Sequence, residues 1–570
     1  GQFSDIGHMT LPQYIVTGGI DLIIQRRLER VGADYQYALK LAAIAGRIVD
    51  PQIVKQALAE EFKAEFFQRC LDASVLEVHA EQWRFTHNKL REFLLSVLDE
   101  QEKIRLNKQV AEAIEAVYPN DVARAHILAV HYLNAINKEK ATYYGLIAAK
   151  QMANSSSYQD AVNLLQDILR LLEDDATFAD KVMEIYIALG MYYENLSLYD
   201  KARNYFLQGL DLARFSENAY YTAFSLNGLG VIAYNQSEFD KAHLYLNESL
   251  AIARSIKATE IIAMSLKHRS NVYSVEGTYQ KSNADLQEAL DLNRAGNFQV
   301  ESAGCLNNLG VNAYMHGAYA EAKRYYLQAL EIYQEIGYRT GIALCESNLG
   351  DVSYDDGLEA QLAHYQRGLK IYREVNNQWG VALCLDNMSS TLIVMNRFEE
   401  AYDALQESLS ISRVIGDQYS VMYSYGNLGL LYYAQAKYKE SIEACQASLR
   451  IADEIDDTDV IANVYTQLAT SQIGAGLLDE ARINLKHACD LAEKSEVTPN
   501  LLSVLLGIAY LYQAQDKQDE VQTIALFLSK QAELEDTIRR IYLQPLLEHI
   551  HLDTASEQSL ADIWQVYRLS

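Results

Sequence analysis

The chain has 570 residues, of which 49% are hydrophobic and 22% are charged. This composition argues against disorder, and the length exceeds what one compact core supports. The formal net charge of −27 repels phosphate backbones and disfavours nucleic acid as a partner. No stretch approaches the roughly 18 apolar residues of a membrane span, and no secretory signal is visible. The six cysteines form no C-x-x-C pair, so we expect buried thiols and a reducing, cytoplasmic location.

The part of the chain before residue 99 predicts a small domain of helices and one hairpin. Residues 1–9, GQFSDIGHM, look like an expression scar and are left out of the fold prediction. Apolar periodicity predicts helices at Ile20–Val31, Tyr35–Ala45, Pro51–Leu58, Phe62–Ser74 and Asn88–Leu98. Alternation predicts a β-hairpin of Val75–Val78 with Trp83–Thr86. This order predicts a winged-helix domain at 10–98, but no basic cluster supports DNA binding.

Small residues recur about every 40 residues along most of the remaining chain. They occupy the positions Ala149, Gly190, Gly230, Ser270, Gly310, Gly350, Ser389, Gly429, Ala469 and Gly507. In the repeat of Gly310, Ala322 and Tyr326 follow on the next predicted helix. Small residues there allow two antiparallel helices to approach closely, while the aromatic ring fills the space beside them. The pattern therefore predicts a series of helical hairpins.

This spacing resembles the tetratricopeptide repeat (TPR), whose usual period is about 34 residues. HEAT and armadillo repeats also have periods of about 40, but the register of the small residues favours the TPR. The resemblance implies an all-α superhelical solenoid of about nine to ten hairpins over 142–535. A helical linker at 99–141 would precede it, and capping helices at 536–570 would close it. One repeat departs from the pattern, with Gln361 in the alanine position and one residue deleted.

Three further stretches resemble the region after the nucleotide-binding module of bacterial STAND proteins, which are signal-transduction ATPases related to the maltose-regulon activator. They lie at 26–50, 83–117 and 123–150 and begin RRLERVGADYQ, WRFTHNKLREF and ARAHILAVHYL. The resemblance implies a winged helix, a helical arm and a TPR sensor. The chain has no G-x-x-x-x-G-K-[ST] motif. We therefore expect a fragment, whose missing nucleotide-binding domain would precede residue 10 and bind ADP or ATP.

The same resemblance implies a role for His87. In STAND proteins a winged-helix histidine reaches the phosphates of bound ADP and holds the closed state, and an imidazole can donate a hydrogen bond to such oxygens. The alternative is a histidine that packs between the hairpin and the next helix. The first role requires the missing nucleotide-binding domain, whose activation could include oligomerisation.

An amide recurs two residues before the small residue in five successive repeats, as Asn308, Asn348, Asn387, Asn427 and Gln467. In TPR arrays this position of the first helix faces the concave groove. A side-chain amide can donate to and accept from the main chain of an extended peptide. The alternative is that these amides satisfy neighbouring backbone groups. Asparagine is a weak helix former, so its recurrence favours a function in the groove.

Other residues are expected to line the same groove. By their repeat positions these are Asn227, Lys267, His268, Asn271, Asn307, Asp351 and Asp386, together with the tyrosines Tyr234, Tyr314, Tyr354 and Tyr433. Tyrosine offers a rigid apolar face with one hydrogen-bonding tip, although the same tyrosines could simply pack between helices. The two aspartates suggest an acidic sector that favours a basic or amine-bearing ligand.

Two functions remain open at this point. The first is a sensor whose groove binds a protein, peptide or small-molecule inducer and relays that event through the winged helix to the missing domain. The second is a constitutive TPR scaffold for protein partners. An enzyme is disfavoured, because no catalytic motif and no metal-ligand spacing such as H-E-x-x-H is present.

Overall fold

The computed structural model describes residues 24–155, 157–173, 175–353, 356–455, 458–495, 498–531, 538–548 and 560–567. The chain divides into two compact units, 1–232 and 233–570. The expected expression scar at 1–9 lies outside the described residues, as does the start of the first predicted helix.

The first unit begins with five helices and a three-stranded antiparallel sheet. The helices are α1 (24–31), α2 (Gln36–Ala45), α3 (Pro51–Leu58), α4 (Phe66–Asp72) and α5 (Asn88–Ser96). The strands are β1 (Ile48–Val49), β2 (Leu76–His79) and β3 (Gln82–Phe85), in the order β1-β3-β2. The predicted hairpin is confirmed as β2 and β3, and β1 is an additional strand.

The hairpin turn and the added strand each have a local cause. Ala80 and Glu81 have φ angles of 49° and 64°, so both residues of the two-residue loop are left-handed, as in a type I′ turn. Strand β1 has only two residues and pairs Ile48 with Arg84. Such a short strand carries no alternation that periodicity could detect.

One hydrophobic cluster joins this segment to the helices that follow it. Helices α6 (Glu100–Val117) and α7 (Ala125–Asn134) contribute Leu106, Ile114 and Tyr132 to the same buried cluster as Phe66 and Phe85. The predicted linker therefore packs on the core that the first helices and strands form.

Glu115 connects this core to the first hairpin of the repeat series. Its carboxylate accepts hydrogen bonds from the hydroxyls of Tyr132 (2.6 Å) and Tyr144 (2.7 Å), and from Nζ of Lys140 (2.6 Å). Burial opposes ionisation, but these bonds outweigh it and lower the pKa of Glu115. The ionised carboxylate thus ties α6 to α7 and to α8 (Lys138–Asn154).

Helical hairpins fill the rest of both units. In the first unit they are built from α8, α9 (Tyr158–Leu172), α10 (Ala179–Asn195) and α11 (Tyr199–Phe215). The boundary between the two units falls within α12 (Ala219–Asn235). In the second unit we name the first helix of each hairpin A and the second B. The A helices are α14 (Thr259–Val275), α16 (Gln299–Met315), α18 (Arg339–Asp351), α20 (Gln378–Val394), α22 (Gln418–Ala434), α24 (Thr458–Gly474) and α26 (Thr498–Ala514).

The B helices alternate with them. They are α13 (Phe239–Ser255), α15 (Tyr279–Ala295), α17 (Tyr319–Glu335), α19 (Leu358–Glu374), α21 (Phe398–Ile415), α23 (Tyr438–Ile455), α25 (Leu478–Ser495) and α27 (Gln518–Ser529). Beyond them the tail forms a π-helical turn at Arg539–Leu543 that continues into Gln544–Leu547, and a helix at Leu560–Tyr567. The prediction of an all-α repeat fold is confirmed.

The repeat glycines close the hairpins as predicted. A Cβ atom on Gly310 would lie 2.5 Å from Cε1 of Tyr326, and one on Gly350 would lie 2.4 Å from Cε1 of Tyr365. Both distances are well inside van der Waals contact, so the ring of the B helix packs directly on the glycine backbone. The six cysteines are free thiols and all are buried.

The departing repeat still forms a hairpin. Its A helix α18 has 13 residues where α16 and α20 have 17. Gln361 is 7% exposed, and the hydroxyl of Tyr365 donates to Asp351 at 2.6 Å.

The described part of the tail packs on the last repeats. The indole N–H of Trp564 donates to Glu493 at 3.0 Å, and Leu543 and Leu546 are buried. No helix among the described residues has the length and apolar character that crossing a membrane would require.

Candidate functional site

The five predicted amides lie on one partly exposed line of the A helices. Most side chains of these helices are buried, whereas Asn308, Asn348, Asn387, Asn427 and Gln467 are all half-buried. We call these five residues the amide stripe. They belong to α16, α18, α20, α22 and α24, so the stripe runs across five successive repeats of the second unit.

The first three amides of the stripe bind the preceding repeat. Nδ2 of Asn308 donates to Oδ1 of Asn271 at 3.0 Å, and Nδ2 of Asn348 donates to Oδ1 of Asn307 at 2.8 Å. Nδ2 of Asn387 donates to Oδ1 of Asp351 at 3.3 Å. Each bond connects two neighbouring A helices.

The last two amides make the equivalent connection through backbone. Nδ2 of Asn427 donates to the carbonyl oxygen of Asp386 at 3.3 Å, and Nε2 of Gln467 donates to that of Gly426 at 2.9 Å. A side-chain amide has two N–H donors and an oxygen with two lone pairs. The bonds to the preceding repeat use one N–H donor of each amide and fix the orientation of the group.

Three residues predicted to line the groove are buried instead. Asn227, in the first unit, is 2% exposed, Asn307 is 6% exposed and Asp386 is 5% exposed. All three stand three residues before the small residue of their repeats, one position from the stripe. In the second unit this position contacts neighbouring helices: Asn307 accepts from Asn348, and Asp386 lies among buried serines. The groove prediction is therefore wrong for these residues.

Asp386 is held by two buried hydroxyl groups. Oγ of Ser408 donates to its carboxyl group at 2.9 Å and Oγ of Ser424 does so at 2.7 Å. Burial raises the pKa of Asp386 to about 7, against the hydrogen bonds, which lower it. The predicted acidic sector is thus reduced to Asp351, which is half-buried and already accepts from Tyr365 and Asn387.

The predicted residues of α14 lie beside the start of the stripe. Lys267, His268 and Asn271 are half-buried. Nζ of Lys267 lies 3.4 Å from where a Cβ of Gly304 would stand, and Asn271 accepts from Asn308. Burial lowers the pKa of His268 to about 3, so its imidazole is neutral at physiological pH.

The predicted tyrosines contact the start of the next B helix. The ring centroids of Tyr234 and Phe239 are 6.3 Å apart, and those of Tyr314 and Tyr319 are 5.5 Å apart. Tyr433 lies 5.7 Å from Tyr438 in the same way. These rings pack at the turn of each hairpin, which is the second of the two roles considered for them. Tyr354 lies outside the described residues.

Sequence reasoning missed a cavity at the end of the stripe, which we call the chamber. It has a volume of about 250 Å³ and lies between α22, α24, α26 and the tail. Its walls include Asn427 and Gln467 of the stripe and Tyr542 of the tail. Gly426 and Gly507 on its wall are a weak sequence signal for a cavity, because they leave space beside their helices. No sequence pattern predicts that Tyr542 of the tail packs against the same helices.

His87 lies on the first unit at the N-cap position of α5. Its side chain is exposed and makes no capping bond. It lines an open cavity of about 400 Å³ together with Arg27, Lys89 and Glu92. Two of these lining residues are cations, and Nζ of Lys89 donates to the carboxylate of Glu92 at 2.8 Å. Among the described residues, no group of three or more His, Cys, Asp or Glu side chains could hold a metal ion.

The repeats match known sequences at three places. Residues 181–255 and 420–494 match one sequence model of the tetratricopeptide repeat, and residues 302–336 match another. No curated protein matches the sequence.

Several solved structures are similar to this chain. A Rap protein complexed with competence and sporulation factor is 13% identical, with a TM-score of 0.48, covering 63% of this chain and 99% of that one. A Rap conjugation gene regulator of plasmid pLS20 in complex with the Phr* peptide is 17% identical, with a TM-score of 0.39, covering 67% and 98%. A STAND protein with a tetratricopeptide repeat sensor from Pyrococcus horikoshii is 14% identical, with a TM-score of 0.30, covering 95% and 68%.

At such low identities and scores, no property of these proteins passes to this chain. The sequence matches to the tetratricopeptide repeat and the alternating A and B helices agree with each other. The chain is an all-α protein of tandem tetratricopeptide-type hairpins, preceded by helices and a small antiparallel sheet.

Proposed function

We propose that the second unit recognises an extended segment of an inducer along the amide stripe. The observation that carries this proposal is the stripe itself: five half-buried amides in successive A helices, each oriented by a bond to the preceding repeat. Because one N–H of each amide is used in this way, the oxygen is presented in a fixed position. The amide oxygens of the stripe could accept hydrogen bonds from the main-chain N–H groups of the ligand. Because every residue except proline has such a group, this recognition depends little on the sequence of the ligand.

The spacing of the repeats suits an extended chain. Packed helices stand about 8–10 Å apart, and an extended chain advances about 3.3 Å per residue. One amide of the stripe therefore meets about every third residue of the ligand. A net hydrogen bond contributes about 0.5–1.5 kcal/mol, so five such contacts would contribute about 2.5–7.5 kcal/mol to binding.

Charge favours a neutral or basic inducer. The net charge of the chain is −27, and Asp351 lies beside the stripe with its carboxylate bonded to Asn387. An acidic peptide would be repelled by this field, whereas a basic one would be attracted to it.

The proposal places this recognition in a regulatory switch rather than in an enzyme. The inducer would bias two states of the repeats, and the first unit would relay the choice to a nucleotide-binding domain that binds ADP or ATP. The contacts of Glu115 with Lys140, Tyr132 and Tyr144 provide a rigid connection from the first hairpin to α6. A winged-helix role for 10–98 is part of this proposal, as is phosphate sensing by His87, which lines one cavity with Arg27 and Lys89.

Selection of phage-displayed peptides on the 570-residue chain tests the recognition step. We expect selected peptides to share spacing rather than one sequence, and to be lost when Asn348 and Asn387 are both replaced by alanine. Asn484→Ala is the matched control, because Asn484 also donates to a neighbouring amide, Gln472 at 2.8 Å, but lies on a B helix away from the stripe. A scaffold would bind such peptides identically whether the restored nucleotide-binding domain held ADP or ATP, and a sensor would not.

A further inference from the structure

The chamber at the end of the stripe is a partly enclosed cavity whose lining differs from that of the rest of the stripe. Helices α22, α24 and α26 form most of its wall, and Ile538 and Tyr542 of the tail complete it. Its volume of about 250 Å³ is slightly below the roughly 300 Å³ at which drug-sized ligand sites begin. It is therefore suited to a molecule with a single ring.

The described wall of the chamber carries no charged side chain, which disfavours charged ligands. It is lined by glycines, apolar side chains such as Met422 and Leu430, and uncharged polar side chains such as Ser448 and Thr466. None of these described lining residues is Asp, Glu, Lys, Arg or His, although 22% of the chain is charged. A buried ion without a counter-charge is strongly unfavourable, so the chamber selects neutral molecules.

One polar group on the wall stands out because it lacks a hydrogen-bond partner among the described residues. Tyr542 is 6% exposed, and its hydroxyl makes no hydrogen bond with any described residue. Other hydroxyls of the wall are satisfied internally: Ser448 donates to the carbonyl of Met422 at 2.9 Å and Thr466 donates to that of Ala462 at 3.0 Å. A buried hydroxyl without a partner is uncommon in folded proteins and indicates a missing acceptor.

The Gln467 amide supplies the complementary group. Its Nε2 donates to the carbonyl of Gly426, and its Oε1 lies 3.8 Å from where a Cβ of Gly426 would stand, which places that oxygen at the chamber wall. The N–H side of the same amide lies close enough to the hydroxyl oxygen of Tyr542 to oppose the rise in pKa that burial causes there. The wall thus combines a hydroxyl donor with an amide oxygen acceptor.

The tail turn holds Tyr542 firmly in this position. The hydroxyl of Tyr510 donates to the carbonyl of Tyr542 at 2.7 Å, and the ring of Tyr542 lies 4.6 Å from that of Tyr433. The turn is π-helical, a conformation that is rare and concentrated at functional sites. The donor is therefore preorganised, which reduces the entropy lost on binding.

We propose that the chamber binds one small, uncharged carboxamide with an apolar ring or chain. The carbonyl oxygen of the ligand accepts from Tyr542, its N–H donates to Oε1 of Gln467, and its apolar part packs on Met422, Leu430 and Leu506. This site does not depend on the binding of an extended segment elsewhere along the stripe. A peptide could therefore fail to bind while the carboxamide binds, and the reverse.

Benzamide is the probe, measured by ligand-observed saturation-transfer NMR on the 570-residue chain. We expect saturable one-site binding at millimolar concentration or below, and at least tenfold weaker binding of the charged analogues benzoate and benzamidine. Gly426→Leu should abolish binding, because it adds a side chain to the chamber wall at a position where a Cβ would meet no atom closer than 3.8 Å. Gly304→Leu is the matched control on α16, away from the chamber, and should bind benzamide like the unmodified chain.

Tyr542→Phe removes only the hydroxyl, which has no partner among the described residues, so this variant should fold normally. We expect it to bind benzamide three- to tenfold more weakly, with an unchanged thermal midpoint in the absence of ligand. The proposal is overturned if benzamide does not saturate, if benzoate or benzamidine binds equally well, or if Gly426→Leu binds like the control. Unchanged affinity in Tyr542→Phe would overturn the assignment of the donor.

Discussion

Nδ2 of Asn348 donates to Oδ1 of Asn307, 41 residues earlier in the chain, across 2.8 Å. This contact joins two equivalent helices of successive repeats, and the same kind of contact recurs at Asn308, Asn387, Asn427 and Gln467. The recurring amide thus has a structural role, which is to connect neighbouring A helices. The same bonds hold the amide oxygens in register, and this is the basis of the proposed recognition.

The contact between repeat glycine and aromatic ring predicts opposite effects for two similar substitutions. Gly350→Ala would place a methyl group 2.4 Å from Cε1 of Tyr365, and such overpacking costs about 1–3 kcal/mol. Gly426→Ala meets no atom closer than 3.8 Å, so the better helix propensity of alanine should stabilise the protein by up to about 1 kcal/mol. Thermal melts of the two variants should move in opposite directions. A shift in the same direction would contradict the packing account.

We expect Asp386 to make the free energy of unfolding depend on pH. Its folded pKa of about 7 is above the ordinary value of 3.8, so the folded state binds the proton more tightly than the unfolded state. The resulting stability is present in full below about pH 4 and is lost as the pH rises through 7. Three pKa units correspond to about 4 kcal/mol.

Asp386→Asn removes this titration and keeps a side chain that can bond to Ser408 and Ser424. We expect the variant to be more stable than the unmodified chain at pH 8, with the difference shrinking as the pH falls to 5. The measurement is the difference in thermal midpoint between the two proteins across this range. A difference independent of pH would show that Asp386 ionises in the folded state as freely as in water.

We expect His131 to give the stability of the folded chain the opposite dependence on pH. It is 7% exposed and Nδ1 lies 2.9 Å from Oδ1 of Asn107, and burial lowers its pKa to about 4. Because this value is below the ordinary 6.5, the group contributes stability above about pH 6.5 that is lost as the pH falls through 4. Imidazole NMR signals should show a neutral His131 at pH 5.5, assigned by their loss in His131→Gln. A midpoint near 6.5 would contradict the buried position.

Much of the fold could be predicted because its cause is periodic. A small residue about every 40 residues and a larger side chain on the following helix specify the hairpin, and the contact of Gly310 with Tyr326 confirms that relationship in one repeat. Alternation likewise located β2 and β3. Strand β1 was missed because two residues, Ile48 and Val49, carry no pattern.

The site could be predicted only in part, because helix periodicity does not resolve adjacent positions. Asn307 and Asn308 are neighbours, yet the first is buried and the second is half-exposed. Asp386 occupies the same repeat position as Asn307 and is also buried, although it was predicted to line the groove. The chamber depends on Tyr542 returning to helices far earlier in the chain, and such a tertiary contact leaves no local signal.

The affinity of a phage-selected peptide for the 570-residue chain tests the central claim most directly. Fluorescence anisotropy of the labelled peptide should show at least about tenfold weaker binding when Asn348 and Asn387 are both replaced by alanine, since two hydrogen bonds of about 1 kcal/mol each are lost. Asn484→Ala should leave the Kd unchanged. An unchanged Kd in the double variant, or an equal loss in Asn484→Ala, would contradict recognition by the amide stripe.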